Sequence, residues 1–293
     1  MRGLTGVVCV VAAYLTLAAG SAPIAAQRAA GDAADARLET VLQAAGAYVD
    51  AFKSQFFGVV AEERYQQFVR GRSIVATANI SRQRDFLSEV AMIEMPNLGW
   101  VGFRDVVEVD GQKVVDRADR LTRLLQSTSD DLLKQGRALA DEGSRFNLGS
   151  VTRNLNHPSL ALSFLARDRQ ARNTFTPDGN GRISGETMTV VRFVEHARPT
   201  TVRGGATGRD VYASGRFWIA PASGVIGRSE LQLRIDQTTA TLTATYGPNA
   251  RFRVWVPVSL RETYDTGSTE VIEGVATYRN YRTFAVDTNA VIK

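Results

Sequence analysis

"RFRVWVPVSLRETY" (251–264) places Phe252, Val254, Val256, Val258 and Leu260 at alternate positions, with Arg251, Arg253, Trp255, Ser259 and Arg261 between them. Successive side chains of an extended strand point to opposite faces, so this spacing predicts a strand with one apolar and one wet face. Strands of that kind belong to antiparallel sheets, because parallel sheets are covered on both faces and read as continuous apolar runs. The stretches just before it repeat the pattern. In "GRSELQLRID" (227–236), Leu231, Leu233 and Ile235 alternate with Glu230, Gln232, Arg234 and Asp236; in "TATLTATY" (239–246), Ala240, Leu242, Ala244 and Tyr246 alternate with threonines. "PASG" (221–224) and "YGPNA" (246–250) supply the turns. From Arg172 onward almost the whole chain reads as β.

Toward the N-terminus the pattern changes. "HPSLALSFLA" (157–166) predicts a short apolar helix with Pro158 in its first turn, where a missing N–H costs nothing. "DDLLKQGRALADEGSRF" (130–146) predicts a longer helix, with Asp130 and Asp131 at its start and Gly143 near its end. Three strands are predicted before these, in "VVAEERYQQFV" (59–69), "RQRDFLSEVAMIEM" (82–95, closed by Pro96-Asn97) and "GWVGFRDVVEVDG" (99–111). Asp110-Gly111 is a hairpin signal, since both turn positions tolerate positive φ, and "QKVVD" returns as a short strand. Asp116 or Asp119 then caps a helix beginning in "RLTRLLQ". Leu38, Val41, Leu42, Ala45, Val49, Phe52 and Phe56 fall at steps of three and four, which predicts an amphipathic helix from Arg37, preceded by a flexible lead-in at 27–36. With no repeat and no break in composition, residues 37–293 read as one domain.

The ends and the composition exclude several functions. Arg2, the apolar run Val7 to Ala19 and the small residues of "AAGSAPIAAQ" predict a signal peptide over residues 1–26, cut between Ala22 and Ala26. That run is short against the roughly 20 residues a membrane-spanning helix needs. The expected product is periplasmic or secreted and does not span a membrane. Cys9, the one cysteine, lies inside the leader, so disulfides and thiolate chemistry are excluded from the mature chain. The net charge is +5, with four lysines (Lys53, Lys113, Lys134, Lys293) and singly scattered arginines; no basic stripe for nucleic acid forms. His157 and His196 stand in different elements without metal-ligand spacing, and each reads as a cap or strand-end residue. "DGNGRIS" (178–184) lacks carboxylates at the first and twelfth positions of a calcium loop and reads as a tight hairpin turn. The aspartates Asp105, Asp110, Asp116 and Asp119 do not converge, and Arg104 and Asp105 take opposite faces of their strand. Glu62, Glu63, Glu195, Glu262 and Glu273 lie within strands, where a pair could meet across the sheet, but a solvated face is the default. No cofactor, no metal and no enzymatic activity are expected.

"SGRFWIAPASGVIGRSELQL" (214–233), "TTATLTATYG" (238–247) and "WVPVSLRETY" (255–264) resemble the sheet-forming part of the periplasmic lipoprotein-carrier superfamily (LolA/LolB/LppX-like). "VAEERYQQ", "GFRDVVEVDGQKVVDRADRL" and "ATYRNYRTFAV" resemble segments of uncharacterised bacterial exported proteins of the same outline. The resemblance implies an α+β fold: an antiparallel half-open β-barrel with an N-terminal helix and a helical insertion (117–166) packed on the concave face, around an apolar cavity for acyl chains. It implies a non-catalytic carrier or binder of a lipid, a lipoprotein or another apolar ligand in the cell envelope. The apolar wall expected for that ligand is Leu231, Leu233, Ile235, Leu242, Tyr246, Phe252, Val254 and Val256. The alternative is an envelope protein whose barrel is filled by its own helices and which works through contact with a protein partner.

Overall fold

The computed structural model describes residues 24–71, 81–95, 99–115, 120–126, 129–153, 156–204, 208–267 and 270–283. Helix α1 (Ile24–Phe56) leads into strands β1 (Val59–Gly71), β2 (Ser81–Met95), β3 (Gly99–Val109) and β4 (Gln112–Lys113). Helices α2 (Arg120–Gln126) and α3 (Ser129–Ser144), a 3-10 helix (Leu160–Leu165) and the short α4 (Arg167–Gln170) follow. The rest is β: β5 (Asn173–Ile183), β6 (Glu186–Glu195), β7 (Val202–Gly204), β8 (Arg209–Val211), β9 (Ala213–Ile219), β10 (Ile226–Ile235), β11 (Thr238–Asn249), β12 (Phe252–Asp265) and β13 (Glu270–Thr283). Eleven strands form one antiparallel sheet in the order β4-β3-β2-β1-β13-β12-β11-β10-β9-β6-β5, while β7 and β8 pair separately. β4 and β5 end the sheet without pairing to each other, so the barrel stays open. The chain divides into two compact units, residues 1–37 and 38–293. In the first, the described residues are the start of α1; the core and the crevice belong to the second.

The main core lies on one face of the sheet, which curls around α1 and the 3-10 helix. Val41, Ala45, Tyr48, Val49, Phe52 and Phe56 of α1 and Leu160 to Leu165 of the 3-10 helix join inward residues of β1, β2, β6 and β9 to β13 in one cluster. A second, smaller cluster lies on the other face: Val60, Ala91, Ile93 and Phe103 meet Leu121 and Leu124 of α2 and Leu139 of α3. The helical insertion is therefore divided. Its 3-10 helix sits on the concave face, as the sequence predicts for the whole insertion, but α2 and α3 cover the back of β1–β3.

Several local expectations shift. Residues 27–36 are helical rather than a flexible lead-in; "QRAAGDAADA" is rich in alanine, the strongest helix former. The helix expected at 157–166 is a six-residue 3-10 helix. "DGNGRIS" belongs mostly to β5, where a register shift between Pro177 and Asn180 and a positive φ at Gly179 mark a bulge, and the tight turn falls at Ser184-Gly185. Asp110 (φ 51°) and Gly111 (φ 77°) form the hairpin turn as expected. The alternation of β12 is also interrupted. Thr245 faces Ser259 but Tyr246 faces Pro257, so Val258 is the extra residue of a bulge and is 39% exposed rather than part of the apolar face. Asp116, Asp119, Pro96-Asn97 and residues 1–23 of the leader lie outside the described residues.

One seam in the sheet is closed by α1. β12 pairs with β13 only from Ser259 to Asp265, whereas β13 stays paired with β1 along its whole length. Along the unpaired half of β12, Arg253 N donates to Gln55 Oε1 (2.8 Å) and Trp255 N to Tyr48 Oη (2.9 Å). Phe56 packs on Phe252 and Tyr281 at centroid distances of 5.4 and 5.8 Å. Side chains of a helix thus take the place of a neighbouring strand in satisfying these backbone donors.

Candidate ligand-binding crevice

A crevice of about 650 Å³ opens against one end of β10 and β11, beside the main core. One side is apolar: Val202, Leu233, Ile235, Ala240 and Leu242, with Val151 opposite. The other is polar: Ser150, Thr152, Arg153, Asn156 and Tyr264, with Arg203, Asp236 and Thr238 also lining it. The alternation of β10 and β11 positions the apolar side, and the hairpin β7–β8 closes over it, anchored by buried Val202 and Val211. Of the eight wall residues expected from the sequence, Leu233, Ile235 and Leu242 line the crevice. The others do not. Leu231, Val254 and Val256 are buried in the main core, Phe252 packs on Phe56, and Tyr246 donates to Pro158 O at 2.7 Å.

Behind the polar side runs a buried network that the sequence reading placed on a solvated face. Glu63 and Glu262 are 0% and 3% exposed. Arg104 grips Glu63 through Nε (2.5 Å) and Nη2 (2.8 Å) and donates from Nη1 to Asn156 Oδ1 (2.8 Å). Asn156 Nδ2 donates to Glu262 Oε1 (3.1 Å), as does the Tyr65 hydroxyl, and the Tyr264 hydroxyl donates to Glu262 Oε2 (3.1 Å). Arg153 Nε is 3.8 Å from Glu262 Oε1, and its Nη1 donates to Leu148 O (2.9 Å). Burial alone would lower the Arg104 pKa; Glu63 beside it outweighs this and holds it well above its ordinary value. Burial, then the Glu262 charge, pushes the Tyr65 and Tyr264 phenols far up, so both stay protonated donors. The two carboxylates do not act as an exposed acid/base pair, since each is enclosed by donors. His157 is buried in the same region, with its pKa pushed down to about 3 by burial and then by Arg104.

The remaining candidates have structural partners. Glu195 is buried and accepts from Thr201 N (2.7 Å). Glu62 accepts from Asn280 and Arg279, which hold its pKa below the usual range. Glu273 pairs with Arg70 at 3.0 Å. Asp105 faces away from Arg104, toward Arg120 at 3.1 Å. Asp110 Oδ1 accepts from Asp85 N (2.9 Å), and exposed His196 lies 3.4 Å from Thr174 Oγ1. Among the described residues no group of three or more His, Cys, Asp or Glu converges, and no helix is long and apolar enough to cross a membrane.

No family model matches the sequence, and no curated protein matches it. Solved structures similar in outline include a putative outer membrane lipoprotein-sorting protein domain from Vibrio parahaemolyticus (10% identity, 85% of this chain and 95% of that chain, TM-score 0.35). A DUF1329 family protein from Desulfovibrio piger is 8% identical over 87% of this chain and 94% of that one, with a TM-score of 0.33. A LolA superfamily protein from Nitrosomonas europaea is 12% identical over 89% and 97%, with a TM-score of 0.28.

Proposed function

We infer that the protein is a non-catalytic, exported binder of a lipid, a lipoprotein acyl chain or another apolar ligand in the cell envelope. One observation carries this reading: the crevice of about 650 Å³ beside Leu233, Ile235 and Leu242. That volume is within the range of small-molecule sites, which are concave and mostly apolar with a few placed polar groups. Each CH2 moved from water into it contributes about 0.8 kcal/mol. The competing reading, a self-filled barrel acting through a protein partner, draws on the main core, where α1 and the 3-10 helix share one cluster with Leu231, Val254 and Val256, and Phe56 packs on Phe252.

The two are separated by native mass spectrometry of protein purified without detergent, combined with titration of an apolar fluorescent probe. Leu242→Arg should abolish uptake while the protein still folds, because a crevice lets the guanidinium reach water. Val254→Arg has no such exit under α1 and should unfold the chain. A wild-type protein that never takes up an apolar probe hands the case to the interaction reading. Export is proposed with it: the mature chain starts between Pro23 and Gln27, which the intact mass of exported protein checks.

A further inference from the structure

The charges around the crevice narrow the class of occupant, an inference that rests on the binding reading above. Three charged side chains line it: Arg153, Arg203 and Asp236. Each already faces an opposite charge. Arg153 Nε is 3.8 Å from Glu262, Arg203 Nε is 3.6 Å from Asp210, and Arg209 holds Asp236 with both Nη atoms at 3.1 and 2.9 Å. Behind them Arg104 is matched by Glu63. Glu270, behind Ser150, accepts from the Ser150 amide and hydroxyl and feels the charges of Arg82 and Arg153. The crevice thus offers hydrogen bonds without offering net charge.

Its hydrogen-bonding capacity is considerable. Ser150, Thr152, Thr238 and Asn156 stand along the lining, and the Nε and Nη2 of Arg153, buried beside it, have no hydrogen-bond partner among the described residues. Apolar and polar sides run in parallel: Leu233, Ala240 and Tyr264 form one row across β10, β11 and β12. We propose that this crevice is a site for an uncharged amphiphile, an acyl chain carrying ester or hydroxyl oxygens, and that it discriminates against a free carboxylate of the same length. A buried carboxylate would add an uncompensated charge to pairs that are already neutral, whereas ester and hydroxyl oxygens accept hydrogen bonds without doing so.

The test titrates full mature protein, free of detergent, with monolauroylglycerol, laurate and laurylammonium at neutral pH, below micelle formation. Monolauroylglycerol should bind at least about tenfold more tightly than either ion. Glu262→Gln, which removes the charge facing Arg153 with little change of shape, should move the preference toward laurate by about tenfold; Arg153→Gln should move it toward laurylammonium. Circular dichroism establishes that each variant folds, and the wild-type ranking decides alone if one does not. Laurate bound as tightly as the glycerol ester, or all three bound alike, overturns the charge-exclusion inference while leaving a binder. Uptake of none of the three removes the binding reading itself.

Discussion

His157 is wedged against Gly102, where even a Cβ would come within 2.4 Å of the imidazole ring. Burial and the Arg104 charge hold its pKa at about 3, against 6.5 for an ordinary histidine. The unfolded chain takes up this proton first, so stability falls as pH drops below 6.5, at up to about 1.4 kcal/mol per pH unit. Carboxylates with depressed pKa values, such as Glu62, act later, when pH falls below their ordinary 4.5. Urea unfolding between about pH 6.5 and 4.5 therefore isolates the histidine. His157→Gln should flatten the dependence in that window, and an unchanged slope would count against the buried neutral imidazole. At this scale the sequence was hard to read. In "VAEERYQQ" the inward positions are Ala61, Glu63, Tyr65 and Gln67, so polar residues occupy the places where alternation looks for apolar ones.

Helices α2 and α3 form an element held to the back of β3 by a few groups. Arg120 reaches Asp105 of β3 at 3.1 Å and Glu142 of α3 at 2.9 Å, and Asp105 is 1% exposed. Breaking such a buried pair by removing one partner costs about 3–5 kcal/mol. Arg120→Met should therefore strip hydrogen-exchange protection from residues 120–144 while β9–β13 keep theirs. Uniform loss, or none, would show that this layer is not separately held. Elements of regular pattern were legible in advance: the face of α1, the strands of the C-terminal half and the Asp110-Gly111 turn each follow from spacing. The side of the sheet taken by α2 and α3 was not, because a helix that buries Leu121, Leu124 and Leu139 fits either face equally well by periodicity. Ser150, Thr152, Arg153 and Asn156, on the polar side of the crevice, lie in a stretch with no period to read.

For the whole molecule, cleavage of the proposed leader would have a chemical consequence. Cys9 is the one cysteine in 293 residues, so thiol titration under denaturing conditions should find none in the exported chain and one in the uncleaved precursor. A thiol in exported protein would mean the leader is retained. The open sheet also has edges to protect. β5 carries Pro177, which donates no hydrogen bond, next to its bulge. Near the other edge a Cβ on Gly143 of α3 would come within 3.1 Å of Arg104 O, so that helix lies close along β3.

The seam between β12 and β13 bears on the order in which the chain can mature. Tyr48 and Trp255 are 207 positions apart, and Gln55 and Arg253 are 198 apart. If the chain is exported as proposed, threaded through a channel with its N-terminus leading, α1 is delivered long before β12 exists on the far side. The helix that arrives first then waits to be seated, its apolar stripe uncovered until nearly all of the sheet has crossed. Contacts that span so much of the chain close slowly. On the proposed export route, the stripe of Val41, Val49, Phe52 and Phe56 would be a surface for a chaperone to shield through that interval.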